Sequence, residues 1–280
     1  MRSLTAEKIA ELEETARRLR VDSLRLIHRR GAGHPGGALS AAEIMAVLYF
    51  HTLRVDPSRP DWPERDRFIL SKGHASAVLY SALSRCGFFP FSELDNWGEV
   101  ECRHQGHPDR LKTPGVEMTS GILGHGVAIG AGLALAARLK KLSYRTYVLL
   151  GDGECQAGIV WEGAVTAAKY HLANLTVTVD SNGVQLDGPV HEIMPLEPLA
   201  GKWSACGWHV VEVNGHSVRE VAEAFELASE IHDRPTVILA HTTKGKGVSF
   251  MENRSYWHGN VPDAGQLAQA LSELGEVMHG

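Results

Sequence analysis

The chain has 280 residues, 44% of them hydrophobic, enough to bury the core of one large α/β domain. A formal net charge of −5 and the lack of any Lys/Arg-rich run argue against nucleic acid as a partner. The charged start MRSLTAEKIAELEE has no signal-peptide core, and no apolar run reaches membrane-spanning length. Four widely spaced cysteines form no CxxC. The expectation is a cytoplasmic protein with free thiols and no membrane contact.

In chain order, residues 5–30 read as a long amphipathic helix with Ile9, Leu12, Ala16 and Leu19 on one face. Gly31-Ala32-Gly33-His34-Pro35-Gly36-Gly37 then breaks it. A helix from Ser40 to Leu53 follows, with Ser40 as N-cap and Glu43 in a capping-box position. Residues 54–66 form a proline-rich connection, and Arg67–Leu70 a short buried strand that runs into Ser71-Lys72-Gly73-His74. Ala75–Ser84 reads as a helix, residues 87–118 mostly as loop, and residues 126–142 as a Gly/Ala-rich helix. The small residues of that helix fit close packing on the sheet or a subunit interface equally well. Tyr147–Leu150 and Leu175–Val179 are strands flanking a helix over 158–171, a βαβ unit with parallel strands. A short helix near 198–206, a strand at 209–213, a helix at 218–231, a strand at 236–240 and a terminal helix at 263–279 complete the chain. No linker divides it. The expectation is a single domain over 1–280, an α/β fold with a mostly parallel sheet and helices on both faces.

Gly151-Asp152-Gly153-Glu154 ends the first strand of the βαβ unit, and Asp180-Ser181-Asn182-Gly183-Val184 ends the second. Asp152 and Asn182 should therefore share the carboxyl edge of the sheet, where open α/β sheets bind ligands. A carboxylate, an amide oxygen and a nearby backbone carbonyl are hard ligands, suited to Mg²⁺ or Ca²⁺ rather than zinc. Gly151 and Gly153 let backbone approach phosphate. His34, His74, His107 and His258 stand out among 15 histidines because each adjoins a glycine in a loop. Neutral imidazoles suit sugar hydroxyls and phosphate oxygens. A zinc cluster is a weaker reading, since no pair has helical ligand spacing.

GDG followed about thirty residues later by Asn resembles the thiamine diphosphate motif. GHPGG at 33–37, SKGH at 71–74, GHP at 106–108, GDGE at 151–154, DSNG at 180–183 and WHG at 257–259 together resemble the transketolase family in order and spacing. The resemblance covers nearly the whole chain and corresponds to the first, diphosphate-binding half of a transketolase. It implies the thiamine diphosphate-binding fold and the N-terminal subunit of a split, two-gene enzyme. Asp152, Asn182 and the Val184 carbonyl would hold Mg²⁺ or Ca²⁺. His74, Gly153, Asn182, Lys244 and His258 would contact the diphosphate, and Gly121 and Leu123 the cofactor rings. His34, His107 and His258 would bind donor-sugar hydroxyls. The implied reaction moves a two-carbon ketol unit from a ketose phosphate to an aldose phosphate. The implied partner is a C-terminal, pyrimidine-binding subunit in an α2β2 heterotetramer, and the chain alone is expected to be inactive.

Two positions depart from the family pattern. Ala157 follows Gln156 where a glutamate is usual, and His125 stands where glutamine is common. Both point to a specialised sugar substrate. Two other readings stay open: the α subunit of a 2-oxo acid dehydrogenase, and a non-catalytic scaffold that kept the fold. The histidine set favours polyol chemistry over the first. Intact Asp152, Asn182 and His74 argue against the second.

Overall fold

Thr5 starts the first helix, its hydroxyl accepting the Lys8 N–H at 3.2 Å. In the computed structural model, which describes residues 4–276, this helix is α1 (Ala6–Arg30). Gly31, at φ 68°, closes it by turning its N–H back onto the Ile27 and His28 carbonyls.

The next helix departs from the sequence expectation. Helical backbone resumes at Pro35, giving α2 (Pro35–Ser40) and α3 (Ala42–Val47), then a wider helical turn over Leu48–Thr52. Proline suits a first helical position because its missing N–H would have no helical partner. Ser40 is therefore the last residue of α2 rather than an N-cap, and its hydroxyl donates to Asp180 Oδ2 at 2.6 Å. Glu43 makes no capping box either. It is buried and pairs with Arg20 at 2.5 Å. In both cases a long-range partner outweighs the local pattern.

The remaining elements are β1 (Arg67–Leu70), α4 (Ser76–Cys86), α5 (His125–Leu139), β2 (Thr146–Gly151), α6 (Gly158–Lys169), β3 (Leu175–Ser181), α7 (Val190–Ile193), α8 (Leu199–Ala205), β4 (His209–Asn214), α9 (Val218–Glu230), β5 (Thr236–His241) and α10 (Ala264–Glu273). Residues 87–118 are loop apart from one tight turn over Phe91–Asn96. Gly275, at φ 78°, follows the end of α10, and the last residues of the expected terminal helix lie outside the described residues.

All strand pairs are parallel, in the order β1-β2-β3-β5-β4. The β2–α6–β3 unit is present, with Gly151 opposite Asp180 in register. Alternating strand residues feed two cores. Phe68, Leu70, Tyr147, Leu149 and Ile238 face α1, α3, α4 and α9. Ile69, Val148, Leu150, Val177, Val179 and Leu239 face α5, α6 and α8. A third cluster joins α10 to α1 through Leu24, Leu267 and Leu271. Among the described residues, no helix is long and apolar enough to cross a membrane.

Gly130 and Ala128 of α5 serve close contacts within the chain, whereas Gly132 does not. A methyl at Gly130 would sit 2.7 Å from Val148 Cγ2, on the sheet. One at Gly163 of α6 would sit 2.8 Å from the Ala128 backbone nitrogen. Overpacking costs about 1–3 kcal/mol, while Gly→Ala in a helix returns about 1 kcal/mol. Gly163→Ala is thus expected to lose about 1 kcal/mol net in urea unfolding. Gly132→Ala, with nothing within 4 Å of the added methyl, should be neutral or gain up to about 1 kcal/mol. Equal stability of the two variants would contradict this close helix contact.

Candidate active site at the carboxyl edge of the sheet

Two opposite charges are buried where β1 and β3 end. Lys72 is 1% exposed and Asp180 is fully buried, and they form an ion pair. Lys72 Nζ also donates to the Gly37 carbonyl at 2.9 Å. Asp180 further accepts from Ser40, from the Thr242 hydroxyl and from Asn182 Nδ2 at 3.1 Å. Burial alone would raise the Asp180 carboxyl, but the Lys72 ammonium and these donors hold it below the usual carboxylate value.

Asp152 lies beside this pair. Its Oδ1 accepts the Gly153 N–H at 2.7 Å and its Oδ2 the Gly183 N–H at 2.6 Å. Burial and then the Asp180 charge raise its pKa. Asn182 Oδ1 accepts the Val184 N–H at 3.1 Å. The Val184 carbonyl accepts from Lys244 Nζ at 2.8 Å. Among the described residues no three His, Cys, Asp or Glu side chains converge as metal ligands. The expected ligand set needs only one carboxylate, and Asp152, Asn182 and Val184 line one cavity. Glu154, also buried, accepts from the Gly124 N–H at 2.7 Å, the Gly151 N–H at 3.1 Å and the Ser71 hydroxyl. It thereby fixes the start of α5 against the GDG turn.

The histidines gather on the other side. Ring centres of His34 and His74 lie 5.2 Å apart, of His34 and His258 5.4 Å, and of His74 and His258 5.0 Å. Lys244 Nζ is 2.8 Å from His258 Nδ1. An ammonium only donates, so Nδ1 accepts and Nε2 carries the proton. Burial is the main cause that lowers His34, His74, His107 and His258, the last to about 3. Burial and Lys72 together bring Lys244 down to about 8. The cluster is thus a set of neutral imidazoles beside one ammonium.

A cavity of about 260 Å³ joins both sides. Of the residues singled out in the sequence, Asp152, Asn182, Val184, Gly153, His74, Leu123, Lys244 and His258 line it. His34 does not line it but packs against His74 and His258, which do. Gly121 and His107 stand outside it, packed together: a methyl on Gly121 would be 3.6 Å from the His107 ring. Lys72, Asp180, Glu154, Ser40 and Thr242 were not singled out. Lys72, Glu154 and Asp180 sat within the SKGH, GDGE and DSNG motifs, and a charge at the end of a buried strand was the available signal.

The model of the family described as "Transketolase, thiamine diphosphate binding domain" matches residues 10–278. A 6-deoxy-6-sulfo-D-fructose transketolase subunit from Clostridium sp. (strain MSTE9) is 42% identical over 96% of this chain and 98% of its own length. An apulose-4-phosphate transketolase subunit from Phocaeicola vulgatus is 39% identical over 96% of this chain and 95% of its own. Among solved structures, transketolase from Leishmania mexicana superposes with a TM-score of 0.91 at 30% identity, covering 96% of this chain. The chain spans 42% of the length of that transketolase.

Asp180→Asn leaves the Lys72 charge buried without its counterion, and should cost about 3–5 kcal/mol in urea unfolding. Adding Lys72→Met should recover part of that loss. Unchanged stability of the single variant would show that the pair is not closed off from water.

The neutral imidazoles predict a pH dependence. Each has a folded pKa below the ordinary 6.5, so their contribution is complete above 6.5 and is lost as pH falls toward the folded values. The cofactor-free chain should lose stability steadily below 6.5, and His74→Gln should flatten that slope. An identical slope in the variant would refute the assignment.

Proposed function

The chain belongs to the transketolase family, in its thiamine diphosphate-binding domain, and from that premise we propose that it is the diphosphate-binding subunit of a two-subunit transketolase. Residues 10–278 are read as one domain. The observation that carries the reading is one cavity in which the oxygens of Asp152, Asn182 and Val184 face the Lys244 ammonium and neutral His74 and His258.

The residues present fit thiamine diphosphate with a divalent cation. Asp152, Asn182 and the Val184 carbonyl are hard oxygen donors suited to Mg²⁺ or Ca²⁺. Lys244 donates to the Val184 carbonyl and to His258 Nδ1, and its ammonium would supply a positive charge to phosphate oxygens in the cavity. A methyl on Gly153 would meet the side chain of Gln185, another cavity residue, at 3.1 Å. Gly121 and Leu123 are assigned to the cofactor rings.

When bound, thiamine diphosphate supplies the nucleophile and electron sink needed to break the C2–C3 bond of a ketose. This chain's residues bind and orient. His34, His107 and His258 are assigned to donor-sugar hydroxyls; a neutral imidazole can donate from one nitrogen and accept at the other, but His258, whose Nδ1 accepts from Lys244, offers only its Nε2–H. His74 is assigned to the diphosphate, to whose oxygens its neutral ring offers one N–H donor. The substrates named for the two end-to-end relatives carry a phosphate or a sulfonate, and an anionic sugar is proposed here too. Those relatives are named as subunits, which supports a pyrimidine-binding partner subunit, with two copies of each chain as the proposed assembly. Four unpaired cysteines fit a cytoplasmic location.

The test is a paired assay of this chain with and without its proposed partner subunit, given Mg²⁺, thiamine diphosphate, a ketose phosphate and an aldose phosphate. Ketol transfer is expected only in the mixture. Transfer by the chain alone at the rate of the mixture would refute the two-subunit reading. Asp152→Ala should weaken Mg²⁺-dependent cofactor binding, read by calorimetry, by more than the about 10–100-fold typical of an outer partner. Unchanged binding would remove Asp152 from the metal site.

A further inference from the structure

α1 ends on three basic residues, His28, Arg29 and Arg30, just ahead of the loop that carries His34. Two of them have protein partners. His28 Nδ1 donates to the Pro262 carbonyl at 2.8 Å, and Arg29 pairs with Asp95. Arg30 differs. Among the described residues it has no carboxylate partner and no hydrogen-bond acceptor, yet its position is fixed.

Its guanidinium lies 4.9 Å from the centre of the Trp97 ring. Its edge rests on two glycines, Gly98 and Gly106. A methyl at Gly106 would sit 2.7 Å from Nη1 and 2.8 Å from Nη2, so any side chain there would displace the guanidinium. Gly106 directly precedes His107. The Arg30 charge is felt there: after burial it is the cause that lowers His107, and it adds to the lowering of His34. Arg30 also lines a cleft of about 230 Å³ with Trp97 and Glu99, where Asp95 is neutralised by Arg29.

A cation at a helix C-terminus is favourable by itself, worth about 0.3–1 kcal/mol at the surface. Arg29 already provides that, and it does not explain why Arg30 is stacked, flanked by glycines and left without an acceptor. A stacked guanidinium has little freedom left to lose, and its planar fork matches the oxygens of phosphate or sulfonate.

We infer that Arg30 is an anion subsite, whose guanidinium receives the phosphate or sulfonate of the sugar held by His34 and His107. This rests on the transketolase reading above and adds a residue that chooses among substrates. The uncharged part of the sugar meets the histidines, and the charged end meets Arg30.

The experiment uses this chain assembled with its partner subunit, Mg²⁺ and thiamine diphosphate. Three donors are compared: a ketose phosphate, a sulfonated ketose and an uncharged ketose. Arg30→Ala should raise KM for the charged donor about 10–100-fold, the loss expected for a charge-assisted hydrogen bond, with kcat little changed. KM for the uncharged ketose should not move. Arg30→Lys should retain part of the effect, and whichever charged donor responds more identifies the anion. Equal changes on charged and uncharged donors would reduce Arg30 to a structural stack, and no change on either would overturn the subsite.

If the assembled pair transfers no ketol unit, the transketolase reading falls, and a second measurement decides Arg30. Inorganic sulfate is titrated into this chain while the His107 ring resonances are followed by NMR. A saturable shift in the parent that is lost in Arg30→Gln supports the subsite. The same response in both, or none in the parent, overturns it.

Discussion

Lys72 and Asp180 are opposite charges held out of water, and the carboxyl edge of the sheet is arranged around them. Taking two charges out of water costs several kcal/mol per ion, and a single contact does not always recover it. Asp180 compensates by accepting from four groups on four different segments: Lys72 after β1, Ser40 at the end of α2, Asn182 after β3 and Thr242 after β5. Lys72 reaches a fifth point, the Gly37 carbonyl. An apolar pair would tie the segments together without fixing their register. Hydrogen bonds to a buried carboxylate have direction, so they set where each segment lies. The amide of Asn182 shows the effect. Its nitrogen is committed to Asp180, which leaves its oxygen to accept the Val184 N–H.

The same pair shapes the charge of the cavity. Burial and then Asp180 push Asp152 toward its neutral form, and burial and then Lys72 push Lys244 the same way. Each group is held back from its charged state by a like charge and by lost water. A cation entering beside Asp152 relieves one of them, and an anion beside Lys244 relieves the other. A cation and an anion entering together would relieve both strains at once. The neutral histidines add donors and acceptors without adding charge.

Topology makes this meeting possible. β5 follows β4 in the chain but lies between β3 and β4 in the sheet. That insertion brings Ser181 into register with His241, and so carries Thr242 and Lys244 to the end of β3. A second network supports the same loop. Arg20 pairs with Glu43, and His216 joins Glu43 to the backbone of Thr243: Nδ1 lies 3.0 Å from Glu43, and Nε2 accepts the Thr243 N–H at 2.8 Å. The helical layer of α1 and α3 thus helps position a residue next to Lys244.

What the sequence determined by itself was local. Strand runs, the βαβ unit and the glycine-flanked histidines were legible because periodicity, turn chemistry and motif spacing are written in neighbouring residues. Asp152, Asn182 and His258 could be singled out for the same reason, while Lys244 came only from the family resemblance. Ser40 and Glu43 were misread because they match a capping box, a pattern of four adjacent residues, while their real partners are Asp180, Arg20 and His216. The strand order, the pairing of Lys72 with Asp180 and the unpaired guanidinium of Arg30 were decided only in the tertiary structure. A buried charge or a stacked cation takes its meaning from groups distant in the chain, and only the packed fold brings those groups within reach.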